Sequence, residues 1–297
     1  MTGSKSIKLI LKVRCKMDNP IGIFDSGIGG LTVVKQLMHL LPNEQLIYFG
    51  DTARVPYGTK SKRLVQQYAL EDANFLMQFD VKMIVIACNS ASAAARELLQ
   101  EKLDVPVLGV VSPGASAAVE NTRNGKIGVI GTQATIGSNA YVRAINKLSD
   151  DIEVSGQPCP LLVPLVEEGW LDDQVTDLAI QKYLKDLLQA DIDTLILGCT
   201  HYPVLEPNIQ KAVGETVRLI DSGKETAKAV KAVLEQKNML NMGIKNSEDQ
   251  FYVSDIPAKF EEIGSRFLGK PLNNIQRVDF DRFLIESGLT NEIQLQD

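Results

Sequence analysis

The stretch IVIACNSASAAA, residues 84–95, passes from a β-branched apolar run through Cys88, Asn89 and Ser90 into alanines. Ile84 to Ile86 suit a buried strand and Ala91 to Ala95 suit a helix, so the polar trio falls at a strand-to-helix switch. A thiol in such a place is ambiguous. Taken alone, Cys88 reads as a small buried hydrophobe. At a helix N-terminus, however, the backbone amides favour a thiolate, and Asn89 and Ser90 add uncharged donors suited to a carboxylate or an amide.

Reading outward, the same pattern recurs. VIACNSA at Val85 is echoed by LILGCTHY at Leu195, with Cys88 and Cys199 standing 111 residues apart. IGIFDSGIGG at Ile21 is echoed by IGVIGTQATI at Ile127, 106 residues on. Two offsets this close indicate duplicated halves. Strands are expected at Ile21–Phe24, Leu46–Phe49, Val81–Ala87, Val105–Val111, Lys126–Ile130, Asp193–Gly198, Val217–Ile220 and Phe251–Ser254. Helical periodicity lies between several of them. Lys62–Phe79 presents Leu64, Val65, Tyr68, Leu76 and Phe79 on one face, and Asp177–Ala190 presents Leu178, Leu184, Leu187 and Leu188. Strands alternating with helices give an α/β chain with open parallel sheets, whose ligands bind at the carboxyl edge. Two such edges facing one another form a cleft with one cysteine on each wall.

Composition narrows the class. The chain has 297 residues, 23% charged and 44% hydrophobic, with net charge −6, and its only basic run is residues 1–16. That balance disfavours nucleic acid and anionic membranes as partners. Four scattered cysteines (Cys15, Cys88, Cys159, Cys199) without a C-x-x-C point to a reduced cytoplasmic setting rather than a disulfide scaffold. The first 16 residues carry five Lys/Arg and too broken an apolar stretch for a signal or membrane segment. Met17 is the expected effective start, with residues 1–16 an upstream extension.

Two further loops fall at strand ends. FDSGIGGLTV lacks the Gly-Lys-Ser/Thr of a phosphate cradle, and Thr32 stands where a dinucleotide fingerprint needs its third glycine. Asp25 suits an ammonium or proton handling, while Ser26 and the amides suit a carboxylate; a helix-capping turn is the plainer alternative. In GDTARVPYGTKS, Tyr57 and the Gly58 amide are free to face a ligand, and Asp51 and Arg54 are as suited to pairing with each other as to chemistry. His201 follows Cys199 by two residues and can hold a proton for it or cap the next helix, whereas His39 belongs to a helix surface. A zinc site from Cys88, Cys199 and His201 lacks any spaced ligand pair. A Cys-His hydrolase leaves the second cysteine idle. Inverting a carbon stereocentre does use both, because one group removes a proton from one face and another returns a proton to the opposite face.

FDSGIGGLTV, GDTARVPYG, ACNSASA, PLVEEGW from Pro164, ILGCTHYP and LIDSG from Leu219 together resemble the glutamate racemase family, in order and spacing, over about residues 20–270. The resemblance implies two pseudo-symmetric α/β domains, residues 17–111 plus 222–297 and residues 112–221, around a central cleft. It further implies a cofactor-independent two-base interconversion of L- and D-glutamate for peptidoglycan, without a metal, in a cytoplasmic homodimer. Cys88 and Cys199 are then the acid-base pair, assisted by Asp25, His201 and Glu167. Asp25, Ser26, Tyr57, Gly58, Asn89, Ser90, Thr200 and His201 bind the substrate. Ser90 departs from the family's usual threonine but keeps the hydroxyl, and the short N-terminal stretch favours an enzyme without a nucleotide-sugar activator. Racemisation of aspartate, or amino-acid binding without turnover, are the competing readings.

Overall fold

The computed structural model describes residues 17–245, 247–256 and 260–288. The expectation about Met17 as the start bears on residues 1–16, which lie outside the described residues, as does Cys15.

Two parallel sheets organise the chain. In the first, β1 (Ile21–Asp25) is buried at every position and lies between β2 (Leu46–Gly50) and β3 (Met83–Ile86). Both faces of such a strand meet helices, which is why it reads as a continuous apolar run rather than an alternation. The connecting helices are α1 (Leu31–Leu40), α2 (Lys62–Met77) and α3 (Asn89–Lys102), the last leading to β4 (Val107–Gly109). After α4 (Val111–Asn121) the second sheet begins with β5 (Lys126–Gly131). Short helices α5 (Gln133–Gly137) and α6 (Ala140–Asn146) precede β6 (Glu153–Pro158). Then come α7 (Leu162–Glu167), α8 (Gln174–Gln189), β7 (Thr194–Gly198), α9 (Glu206–Val213) and β8 (Arg218–Asp221).

The chain now returns. Helix α10 (Ser222–Gln236) packs on both α1 and α4, and β9 (Gln250–Val253) pairs with β2 of the first sheet. The C-terminal elements α11 (Phe260–Leu268), β10 (Ile275–Arg277) and α12 (Phe280–Glu286) complete it. The strand orders are β10-β9-β2-β1-β3-β4 and β6-β5-β7-β8. Within each sheet the first four strands in chain order therefore occupy the same places, so β1 corresponds to β5 and β3 to β7. The two echoed motifs sit on corresponding strands. Among the described residues no helix is long and apolar enough to cross a membrane.

The structure corrects several sequence-based boundaries. The expected strand Val105–Val111 shrinks to Val107–Gly109, because Pro106 has no N–H to donate and Val111 already opens α4. Val81–Ala87 shrinks to Met83–Ile86, preceded by the left-handed turn residue Asp80. Strands β6 and β10 carry too few apolar residues to be read from pattern; both lie at sheet edges, where no residue of either is fully buried. Helix α8 starts earlier than expected, at Gln174, with Asp173 as its cap. Its inner face carries Ile180, Leu184 and Leu187, while Leu178 and Leu188 face outward.

Candidate active site

Cys88 follows β3 and caps α3, where its Sγ accepts a long hydrogen bond of 3.5 Å from the Ala91 amide and lies 3.5 Å from Ser26 Oγ. These partners favour the thiolate. Burial and the nearby Asp25 carboxylate oppose it more strongly, and the thiol is pushed up to about 12. At Cys88 burial thus outweighs the pull of the helix amides toward the thiolate. Asp25 ends β1; its Oδ2 accepts from the Gly27 amide at 3.0 Å, and its buried Oδ1 has no partner. Burial raises this carboxyl, against the pull of His201 and the Gly27 and Gly30 amides.

Cys199 follows β7, the strand equivalent to β3. Its Sγ lies 3.9 Å from His201 Nδ1, and His201 Nε2 lies 2.9 Å from Glu167 Oε1 at the end of α7. The ring edge packs on Phe267, 5.1 Å between centroids. Burial works against the imidazolium, but hydrogen bonds to Cys199 and Glu167 outweigh it and push His201 up to about 10. The two thiols therefore occupy corresponding places with unlike partners: a carboxyl beside Cys88, an imidazole-carboxylate pair beside Cys199.

Both thiols line one cavity of about 180 Å³, together with Ser26, Tyr57, Gly58, Asn89, Ser90, Glu167, Thr200 and His201. All the sequence-predicted residues meet there except Asp25, which is buried outside the lining. Tyr57 lines the cavity with its hydroxyl engaged elsewhere, held between Asp51 and Asp72 and 2.9 Å from the latter. Of the two readings open for Asp51 and Arg54 the structure shows the pairing: Arg54 meets Asp51 at 2.6 Å, and also Glu71 and, at 3.0 Å, Asp72. Its guanidinium lies 4.0 Å from the Tyr68 ring centroid and 4.9 Å from that of Phe280. This cluster ties the Tyr57–Gly58 loop to α2 and α12.

Contacts from the second sheet's side complete the site. Ser90 Oγ lies 2.9 Å from Thr132 Oγ1 and 3.3 Å from Thr135 Oγ1, and the Thr32 hydroxyl donates to the Thr200 carbonyl at 2.9 Å. Thr132 and Gln133 line the cavity, as do Val163 and Pro164. Sequence reasoning missed Thr132 although the repeat contained it: in the echo of IGIFDSGIGG, Thr132 occupies the place of Ser26. Among the described residues no three His, Cys, Asp or Glu are grouped to hold a metal ion. Such an arrangement can accept a proton on one sulfur, as thiolate, and donate one from the other, as thiol.

The His201–Glu167 contact gives a pH prediction. His201 has a folded value near 10 against about 6.5 for a free imidazole, so its contribution to stability is complete below pH 6.5 and is lost as pH rises through 10. Thermal melts of the wild type are expected to fall over this window more steeply than those of Glu167→Gln. Equal slopes would remove the assignment.

The Asp/Glu/hydantoin racemase family profile matches residues 29–230. A curated glutamate racemase of Neisseria meningitidis is 53% identical over 260 residues, covering 87% of this chain and 96% of that protein. One of Geobacter metallireducens is 50% identical over 261 residues, covering 88% and 97%. The crystal structure of glutamate racemase from Francisella tularensis in complex with D-glutamate matches with a TM-score of 0.84 at 44% identity, covering 90% of this chain and 99% of that one.

Proposed function

The chain belongs to the Asp/Glu/hydantoin racemase family, and from that premise we propose that it interconverts L- and D-glutamate by a two-base reaction using Cys88 and Cys199. The carrying observation is the pair of thiols at corresponding strand ends lining one cavity. Relatives bearing the glutamate racemase name at about half identity over nearly their whole length support glutamate as substrate.

In each turnover one Sγ, as thiolate, takes the Cα proton, and the opposite thiol gives its proton to the other face of the resulting carbanion. One C–H bond breaks and one forms; the two sulfurs end with exchanged protonation. Cys88 serves as base toward D-glutamate and Cys199 toward L-glutamate. Asp25 assists Cys88, and His201 with Glu167 assists Cys199. The substrate is held by Ser26, the Tyr57–Gly58 loop, Asn89, Ser90, Thr200 and His201. The catalytic unit is a cytoplasmic homodimer feeding D-glutamate to peptidoglycan synthesis, each subunit made of domains 17–111 plus 222–297 and 112–221.

Circular dichroism of purified protein with each enantiomer tests this reading. The signal is expected to decay to zero from either side, with solvent deuterium entering the α position of the product in heavy water. A stable signal with glutamate, or faster decay with aspartate, would overturn the substrate assignment.

A further inference from the structure

Asn89 is a buried residue of the cavity lining, and its amide has two unlike ends. Its Oδ1 accepts a hydrogen bond from the Tyr141 hydroxyl at 2.7 Å. Its Nδ2 is buried and has no partner. Leaving such a donor unpaired is costly, which suits a site completed by a ligand acceptor.

Tyr141 is itself held. It lies on α6, is buried, and packs with β5, β7 and β8 residues of the second sheet. Two glycines flank its ring: a Cβ on Gly198 would stand 3.2 Å from Cε2, and one on Gly114 would stand 3.4 Å from Cε1 and from the hydroxyl oxygen. Burial raises its ionisation, so the hydroxyl remains a donor. Gly198 directly precedes Cys199. The ring therefore ties the amide, which follows Cys88, to the strand end that carries the other thiol.

We propose that Tyr141 is a positioning residue that fixes the Asn89 amide with its N–H donors toward the cavity, so that the site is committed to a substrate carboxylate. As placed, the Tyr141 hydroxyl donates to Oδ1; turning the amide over would oblige that hydroxyl to accept from Nδ2 instead and to redirect its own proton, with Ser222 as its other side-chain partner. A carboxylate can accept from Nδ2, whereas a carboxamide nitrogen cannot. Released from Tyr141, the amide rotates and offers either end. The inference rests on the glutamate racemase reading.

The test is a double-mutant cycle on the full chain: wild type, Tyr141→Phe, Asn89→Ala and the double variant. KM and kcat are measured for both glutamate enantiomers. Tyr141→Phe is expected to raise KM about five- to tenfold in both directions while changing kcat less than about twofold. In the Asn89→Ala background the same change is expected to add less than about twofold. Where turnover is too slow, calorimetric affinity for DL-glutamate supplies the same cycle. An unchanged KM in Tyr141→Phe would overturn the proposal, and so would an equal penalty in both backgrounds, which marks a packing role. Failure of the wild type to racemise glutamate would instead overturn the underlying functional reading.

Discussion

Cys88→Ala is expected to lower racemisation of both enantiomers by about 1,000-fold, with Cys199→Ala equally damaging. A positioned acid or base contributes about 10²–10⁴-fold, and in the proposed mechanism each direction uses one thiol as base and the other as acid. Removing either one therefore impairs both directions, unlike a change at a group that merely favours one enantiomer. The loss is not expected to reflect unfolding. Cys88 Sγ makes two long hydrogen bonds of 3.5 Å, with Ala91 and Ser26, and the small thiol is one member of a large apolar cluster that also holds Phe24, Ile84, Ile86 and Ala91. Far-ultraviolet circular dichroism and melting close to wild type are the accompanying controls. A fully active Cys88→Ala protein would sink the two-thiol mechanism.

Gly29→Ala is expected to cost more than about 100-fold in kcat/KM without touching any thiol. A Cβ at this position would stand well inside contact distance of Thr200 Oγ1 and of the His201 ring. Both belong to the loop after β7, so the clash falls across the two sheets. Relief requires either displacing His201 from Cys199 and Glu167 or moving the Gly29 loop away from Thr200, which breaks the Thr32 hydrogen bond to its carbonyl. Misplacing reacting groups by about 1 Å can cost about 100-fold. Gly137→Ala is a suitable control, because a Cβ there meets nothing within 4 Å. Comparable losses in the two variants would show that the close approach at Gly29 is unimportant.

Much of this was legible because buried parallel strands write themselves plainly. Ile21–Phe24, Ile84–Ile86 and Leu195–Leu197 are apolar runs, and the cysteines that follow the last two mark equivalent sheet edges. The edge strands were not legible. Glu153–Pro158 contains one strongly apolar residue, Val154, since it lies at the sheet edge, pairs with β5 alone and is nowhere fully buried. Orientation was also beyond the sequence. Nothing in PYGTKS indicates that the Tyr57 hydroxyl turns toward Asp51 and Asp72, because the Arg54 cluster that holds it draws on Glu71 and Asp72 from the following helix. Tyr141 was hidden for a related reason: its partner Asn89 lies 52 residues earlier, and an aromatic on a helix reads as core.

The unlike company of the two thiols has a kinetic consequence. Enantiomers have equal free energy in water, so the Haldane relation fixes the ratio of kcat/KM for the two directions at one. A carboxyl beside one sulfur and an imidazole-carboxylate pair beside the other cannot make the protein a better catalyst for one hand. The difference is confined to how each direction divides its specificity constant: whichever enantiomer turns over faster when saturating must, by the same factor, bind with the larger KM. Structural asymmetry here redistributes the intermediate levels of the energy profile and leaves its two ends level.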